Sequence, residues 1–266
     1  MSSEIFTKEN LDLYLKELAK AFRKRNGKSM PAEIVLVGGA AILTNYGFRN
    51  MTTDIDAVIH AASTIKDAIN DVGDKFSLPN GWINADFMQT ASYTPKLNEY
   101  SVYYKSFYGV LTIRTITAEY LIAMKLRAGR KYKNDLSDVI GILVEHDKKG
   151  APITFEKIEE AVKNLYGGWE AVPADAKVFI EEALRNENLE NIFTSIKKEE
   201  NESKDILITF EQNYPKVIKE SNVNEILKNS LTENTADHGR THISTSDKSD
   251  LHNKILLKII YKKRHA

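Results

Sequence analysis

Glu33-Ile-Val-Leu-Val-Gly-Gly-Ala-Ala-Ile-Leu43, followed after a short gap by Thr53-Asp-Ile-Asp-Ala-Val-Ile59, is the stretch from which the fold is read. An apolar strand runs into a double glycine and then into a helical segment. The second strand opens with two carboxylates, one residue apart. Successive strand side chains point to opposite faces, so Asp54 and Asp56 are expected on one face and Ile55 on the other. Two carboxylates held close together repel unless a cation lies between them, and a divalent metal with oxygen ligands is the usual solution. Glycines before a helix let a phosphate approach backbone N–H groups at its N-terminus. The pattern therefore points to magnesium and a nucleoside triphosphate.

Outward from that unit, residues 8–25 carry Leu11, Leu15, Leu18 and Phe22 at helical spacing. Ile34–Val37 is the first strand, Ala40–Tyr46 a short helix and Thr53–Ile59 the second strand. A helix over Ser63–Val72 takes Ser63 as its N-cap. Leu78-Pro-Asn-Gly-Trp-Ile-Asn84 is a turn whose Trp82 anchors a loop or flanks a nucleotide. Glu99–Phe107 and Val110–Ile116 read as a hairpin turning at Tyr108-Gly109. Its aromatics (Tyr100, Tyr103, Tyr104, Phe107, Tyr108) suit strand packing better than base stacking.

Helices are expected over Ala118–Arg130, capped by Thr117, over Asn134–Glu145, and near 154–166 and 173–186. This gives an α/β unit with a small mixed sheet over 1–145 and a helical subdomain over 146–195. A charged, partly disordered tail is expected over 196–266. Within it, Thr232–Asp250 is polar and poor in large apolar residues. Leu251–Ala266 has the pattern of a basic amphipathic helix, either a loosely docked tail or a contact for a partner or nucleic acid.

Composition excludes some classes. The chain has 266 residues, 42% hydrophobic and 28% charged, with a formal net charge of zero, so global charge does not argue for a nucleic-acid or membrane partner. With no cysteine, disulfides and thiol catalysis are excluded. The first residues lack the apolar core of a signal peptide, and no apolar run approaches the ~18 residues of a membrane span. A cytoplasmic protein is expected. The six histidines are scattered, and His238 and His242 lack the glutamate of a zinc-protease pattern.

Two later clusters sharpen the reading. In Glu119-Tyr-Leu-Ile-Ala-Met-Lys-Leu-Arg-Ala-Gly-Arg130, Lys125 projects from within the stripe Leu121, Met124 and Ala128. A buried lysine is costly without a negative partner, whereas one at the edge reaches solvent along its own stem. Asp135 and Asp138 then lie one turn apart at the start of the next helix, where acids also compensate the helix dipole.

The order Gly38-Gly39, then Asp54-x-Asp56, is similar to the nucleotidyltransferase superfamily related to DNA polymerase β. Arg49 and Thr52 stand where related proteins often carry an Arg and a Thr. With the later motif and the Leu78–Asn84 segment, residues 30–145 resemble the AbiEii-type toxin nucleotidyltransferases, in particular the DUF6036 branch. The resemblance implies a minimal nucleotidyltransferase palm with magnesium as cofactor and an NTP as substrate. Asp54 and Asp56 would be metal ligands, and Gly38, Gly39, Arg49, Thr52 and Lys125 nucleotide contacts. Asp54, Asp56, Lys125 and Asp135 would be catalytic, with Asp135 orienting or deprotonating the acceptor.

It further implies an RNA acceptor, tRNA included, or a protein acceptor, and a cognate antitoxin protein as partner. One departure stands out. The strand position that usually supplies a third carboxylate carries Thr112 and Arg114, with Asp86 and Glu99 as possible substitutes. That leaves two alternatives, a catalytically defective nucleotide-binding module and a nucleic-acid-binding protein.

Overall fold

Ala32–Leu36 (β1) is apolar because it is the middle strand of the sheet, with only Glu33 less than fully covered. The computed structural model describes residues 5–219 and 221–236. Its five strands lie in the order β3-β2-β1-β5-β4. Ile55–His60 (β2) runs antiparallel to β1, pairing Leu36 with Ala57. Ile83–Asn84 (β3) is parallel to β2, with Asp56 opposite Asn84. Ser101–Phe107 (β4) and Leu111–Ile116 (β5) form the hairpin, and β5 lies parallel to β1. Tyr108 and Gly109 both have positive φ, which suits the right-handed twist of the flanking strands.

The helices follow the apolar spacing with small shifts at their ends. Lys8–Asn26 (α1) starts in a capping box between Thr7 and Asn10 and buries Leu11, Leu15, Leu18 and Phe22. Gly38–Asn45 (α2) begins at the glycines themselves, two residues earlier than expected. Ile65–Phe76 (α3) has Thr64 in the N-cap position, not Ser63. Trp82 is buried against Phe6 and Tyr14, and its indole N–H donates to Ile69 O, which makes it an anchor.

Ala118–Ala128 (α4) ends at Gly129, whose φ is +54°, and Asp135–Lys148 (α5) packs against it. Phe155–Tyr166 (α6), Ala174–Leu184 (α7), Leu189–Asn213 (α8) and Val223–Ala236 (α9) complete the described chain.

The main hydrophobic core runs from Phe6 to Ile196, joining the sheet to the later helices, and a second cluster of Leu207, Val223 and Leu227 joins α8 to α9. The expected boundary at 195/196 falls inside α8. The charge-dense stretch lies within that helix, whose buried stripe is Ile192, Ile196, Glu200, Ser203 and Leu207. The segment 237–266, with His238, His242 and the basic pattern of Leu251–Ala266, lies outside the described residues. No described helix is long and apolar enough to cross a membrane.

Candidate functional site

The end of β1 and the start of β2 create the site. Val37 N–H donates to Asp56 O at 3.0 Å, tying the last residue before the glycines to the neighbouring strand. Gly38 has φ +54°, and a Cβ there would lie 3.5 Å from Asp56 Oδ2. The carboxylate thus faces the glycine turn. No side chain caps α2, so its N-terminal turn remains open toward an anion. Asp54 precedes β2 and is exposed, whereas Asp56 is half-buried within it. Burial first, and the charge of Asp54 second, raise the pKa of Asp56 above its usual range. Lys125 and Arg130 oppose the rise and Asp86 adds to it.

Arg49 and Thr52 close the other side of the turn. A Cβ on Gly39 would lie 2.7 Å from Thr52 Oγ1 and 2.9 Å from Arg49 Nη2. Thr52 is held by a two-way backbone pairing with Phe6, and its hydroxyl donates to Asp54 O and Oδ1 at 3.2 and 3.3 Å. The loop carrying Arg49 is pinned by Glu145, which accepts from Gly47 N and Phe48 N. The Phe48 ring lies against Gly141. Gly39→Ala should therefore displace Thr52 and Arg49 and cost ~1–3 kcal/mol in urea unfolding. An unchanged unfolding midpoint would contradict this placement.

Behind the turn lies a buried ion network. Lys125 Nζ donates to Asp135 Oδ1 and to Asp138 Oδ2, both at 2.9 Å. Asp138 Oδ2 also accepts from Arg49 Nη1 at 2.6 Å, and Asp135 Oδ2 from Arg130 Nε at 2.8 Å. Burial alone would depress the Lys125 pKa, but Asp138 and Asp135 carry it above the ordinary lysine range. Burial would likewise raise Asp135, yet Lys125 and Arg130 hold it at about 2. A fully covered carboxylate this acidic has neither access to an acceptor hydroxyl nor the basicity to deprotonate it. The geometry thus revises the expected role of Asp135 from base to an anion that fixes Lys125 and Arg130.

The sequence reading missed three members. Asp138 is the junction between Arg49 and Lys125, although its position in the motif was visible. Arg130 braces Asp135 from the turn after Gly129. Glu200 comes from α8, 63 residues from Ser137. It accepts from Leu136 N at 3.1 Å, Ser137 N at 3.2 Å and Ser137 Oγ at 2.5 Å, so it caps α5 from another helix. No local spacing marks such a cap.

Burial raises the Glu200 pKa to about 7, against the bonds from Ser137. Between its ordinary value near 4.5 and about 7, the folded protein binds a proton that the unfolded chain has released, so stability falls as pH rises. Glu200→Gln should remove up to ~3 kcal/mol of that decline between pH 5 and 7, read by urea unfolding. An unaltered pH slope would contradict it.

The metal expectation concerns Asp54 and Asp56, and the third-carboxylate expectation Asp86, Glu99 and the β5 strand. Asp54 and Asp56 supply the oxygen donors that magnesium prefers, and magnesium completes its shell with waters and substrate phosphates, so this pair fits the ion. Among the described residues no group of three His, Asp or Glu side chains could hold a metal. Asp86, exposed just past β3, is near enough to perturb Asp56 electrostatically. On β5, Arg114 lies in register with Val35 and donates to Ser101 Oγ and Ser101 O. Glu99 lies in the short 3₁₀ turn Pro95–Tyr100 that leads into β4.

The sequence profile of a family described as a nucleotidyltransferase of unknown function, DUF6036, matches residues 13–149. Comparisons with curated proteins and with solved structures return no significant match.

Proposed function

Because the chain belongs to the DUF6036 family of nucleotidyltransferases, we propose that it moves a nucleoside monophosphate from an NTP to a hydroxyl of RNA or protein, releasing pyrophosphate. The observation that carries this reading is the convergence of Asp56, Thr52 and Arg49 on the Gly38-Gly39 turn. Asp54 and Asp56 would hold magnesium, which supplies charge neutralisation and alignment of the triphosphate. Backbone amides of the turn bind phosphate oxygens, and Arg49 adds a guanidinium on the same side.

Lys125 contributes fixed positive charge from behind the turn, and Asp135 and Asp138 hold that charge in place as positioning residues. In the transfer, the acceptor oxygen forms a bond to the α-phosphorus as the bond to the pyrophosphate oxygen breaks. The acceptor proton passes to Asp86, the exposed carboxylate beside Asp56. The resemblance to toxin-like branches supports a cytoplasmic role in a toxin–antitoxin or phage-defence pair, opposed by a separate antitoxin.

The test is incubation with each NTP radiolabelled at the α-phosphate, magnesium and a cell extract, comparing wild type with Asp54→Ala/Asp56→Ala. Label on a defined RNA or protein with wild type alone is expected. Equal labelling by both would overturn the mechanism. A second reading, a binding module without catalysis, draws on Arg114 in the strand position of the usual third carboxylate. NTP binding by calorimetry without any label transfer would favour it.

A further inference from the structure

We propose that α8 carries a phosphate subsite, formed by Lys197 and Lys204 on Asn134, that extends the nucleotide site past Arg49. The proposal rests on the nucleotidyl-transfer reading for its ligand chemistry, but its two lysines lie beyond the stretch matched by the family. Asn134 occupies the N-cap position of α5, yet its side chain does not cap the helix, because Glu200 does so instead. Asn134 Oδ1 is turned to α8, where it accepts from Lys204 Nζ at 2.5 Å and from Lys197 Nζ at 3.4 Å.

Two ammonium groups on one neutral oxygen concentrate positive charge without neutralising it. Among the described residues neither lysine makes an ion pair. The carboxylates that stabilise the Lys204 charge are Glu200 and Asp138, and both are already engaged. Glu200 is bound by Leu136 and Ser137, and Asp138 by Lys125 and Arg49. Burial, Lys197 and Arg49 all press on the Lys204 charge, so an arriving anion would relieve a standing repulsion.

Lys197 and Lys204 are seven residues apart and share one side of α8. The buried stripe through Ile196, Glu200, Ser203 and Leu207 fixes that side. Both side chains are half-buried, so they are held in place before a ligand arrives. Arg49, which lies within the electrostatic reach of Lys204, is the same residue that meets the Gly39 turn. Arg49 therefore links the lysine pair to the glycine turn. A phosphoryl group, which accepts several charged hydrogen bonds at once, is the ligand chemistry that suits the pair. It could be the distal phosphates of the NTP or a phosphate of the acceptor.

The full chain and Lys197→Gln/Lys204→Gln are compared by calorimetry with two probes, inorganic tripolyphosphate and a short single-stranded oligoribonucleotide, across a salt series. The double variant is expected to lose about tenfold or more in affinity for at least one probe, with a shallower salt dependence for the oligonucleotide. Loss confined to tripolyphosphate assigns the subsite to the NTP tail, and loss confined to the oligonucleotide assigns it to the acceptor. Lys197→Arg/Lys204→Arg should retain binding.

If the double variant unfolds, Lys197→Gln alone, which removes only the 3.4 Å contact, should still weaken a probe about threefold. Failure of wild type to bind either probe, or affinities within about twofold for both proteins, overturns the proposal. Lysine-dependent phosphate binding by a protein that transfers no label would instead overturn the transferase reading and leave the subsite standing.

Discussion

Asp56→Asn is expected to reduce nucleotidyl transfer at least about a thousandfold, equivalent to ~4 kcal/mol of barrier, while making the apo protein no less stable. The two effects have one origin. Asp56 faces the glycine turn, half-buried and beside Asp54, so its charge is unfavourable until a cation joins it. Its folded pKa lies above the ordinary 3.8, so native protein holds a proton that the unfolded chain releases. Stability contributed by that proton is lost as pH rises through the window above 3.8. Asparagine removes the loss.

Magnesium should raise the unfolding midpoint of wild type and leave that of the variant nearly unchanged, since only a ligand that prefers the native state stabilises it. A variant that retained transfer, or responded equally to magnesium, would break the link between this carboxylate and the metal.

Lys125→Met should be the most damaging single change to stability, at ~3–5 kcal/mol in urea unfolding. The side chain is almost fully covered and bridges Asp135 and Asp138. Its loss leaves each carboxylate with a single arginine, Arg130 or Arg49, in a region with little solvent to take over. Acid unfolding gives a second readout. The folded pKa of Asp135 is about 2, below the ordinary 3.8, so its stabilising contribution is full above 3.8 and disappears as pH falls toward 2. Without Lys125 that pKa rises, and acid unfolding should begin at a higher pH than in wild type. A loss below ~1 kcal/mol with an unmoved acid transition would show that the network carries little of the fold.

Residue order alone was enough for the strand, glycine turn, helix and Asp-x-Asp strand, because each rests on short-range rules. These are apolar periodicity, the freedom of glycine at positive φ, and alternation along a strand. The same rules gave α1 to α7, with Gly38 and Thr64 marking the ends where cap geometry shifted the start, but not α8 and α9, most of whose range read as a charged, partly disordered tail. They also flagged Lys125, since an amine inside an apolar stripe needs either a partner or a route to solvent.

Which of these it found was decided in three dimensions. The packing of α5 on α4 brought Asp135 and Asp138 to the amine, and the charges of Lys125 and Arg130 then made Asp135 too acidic to serve as a base. Tertiary structure also decided that the charge-rich stretch after 196 is a packed helix, with Glu200 reaching back to cap α5. A cap supplied from 63 residues away has no local signature, because the backbone amides it satisfies and the carboxylate that satisfies them meet only when the chain folds.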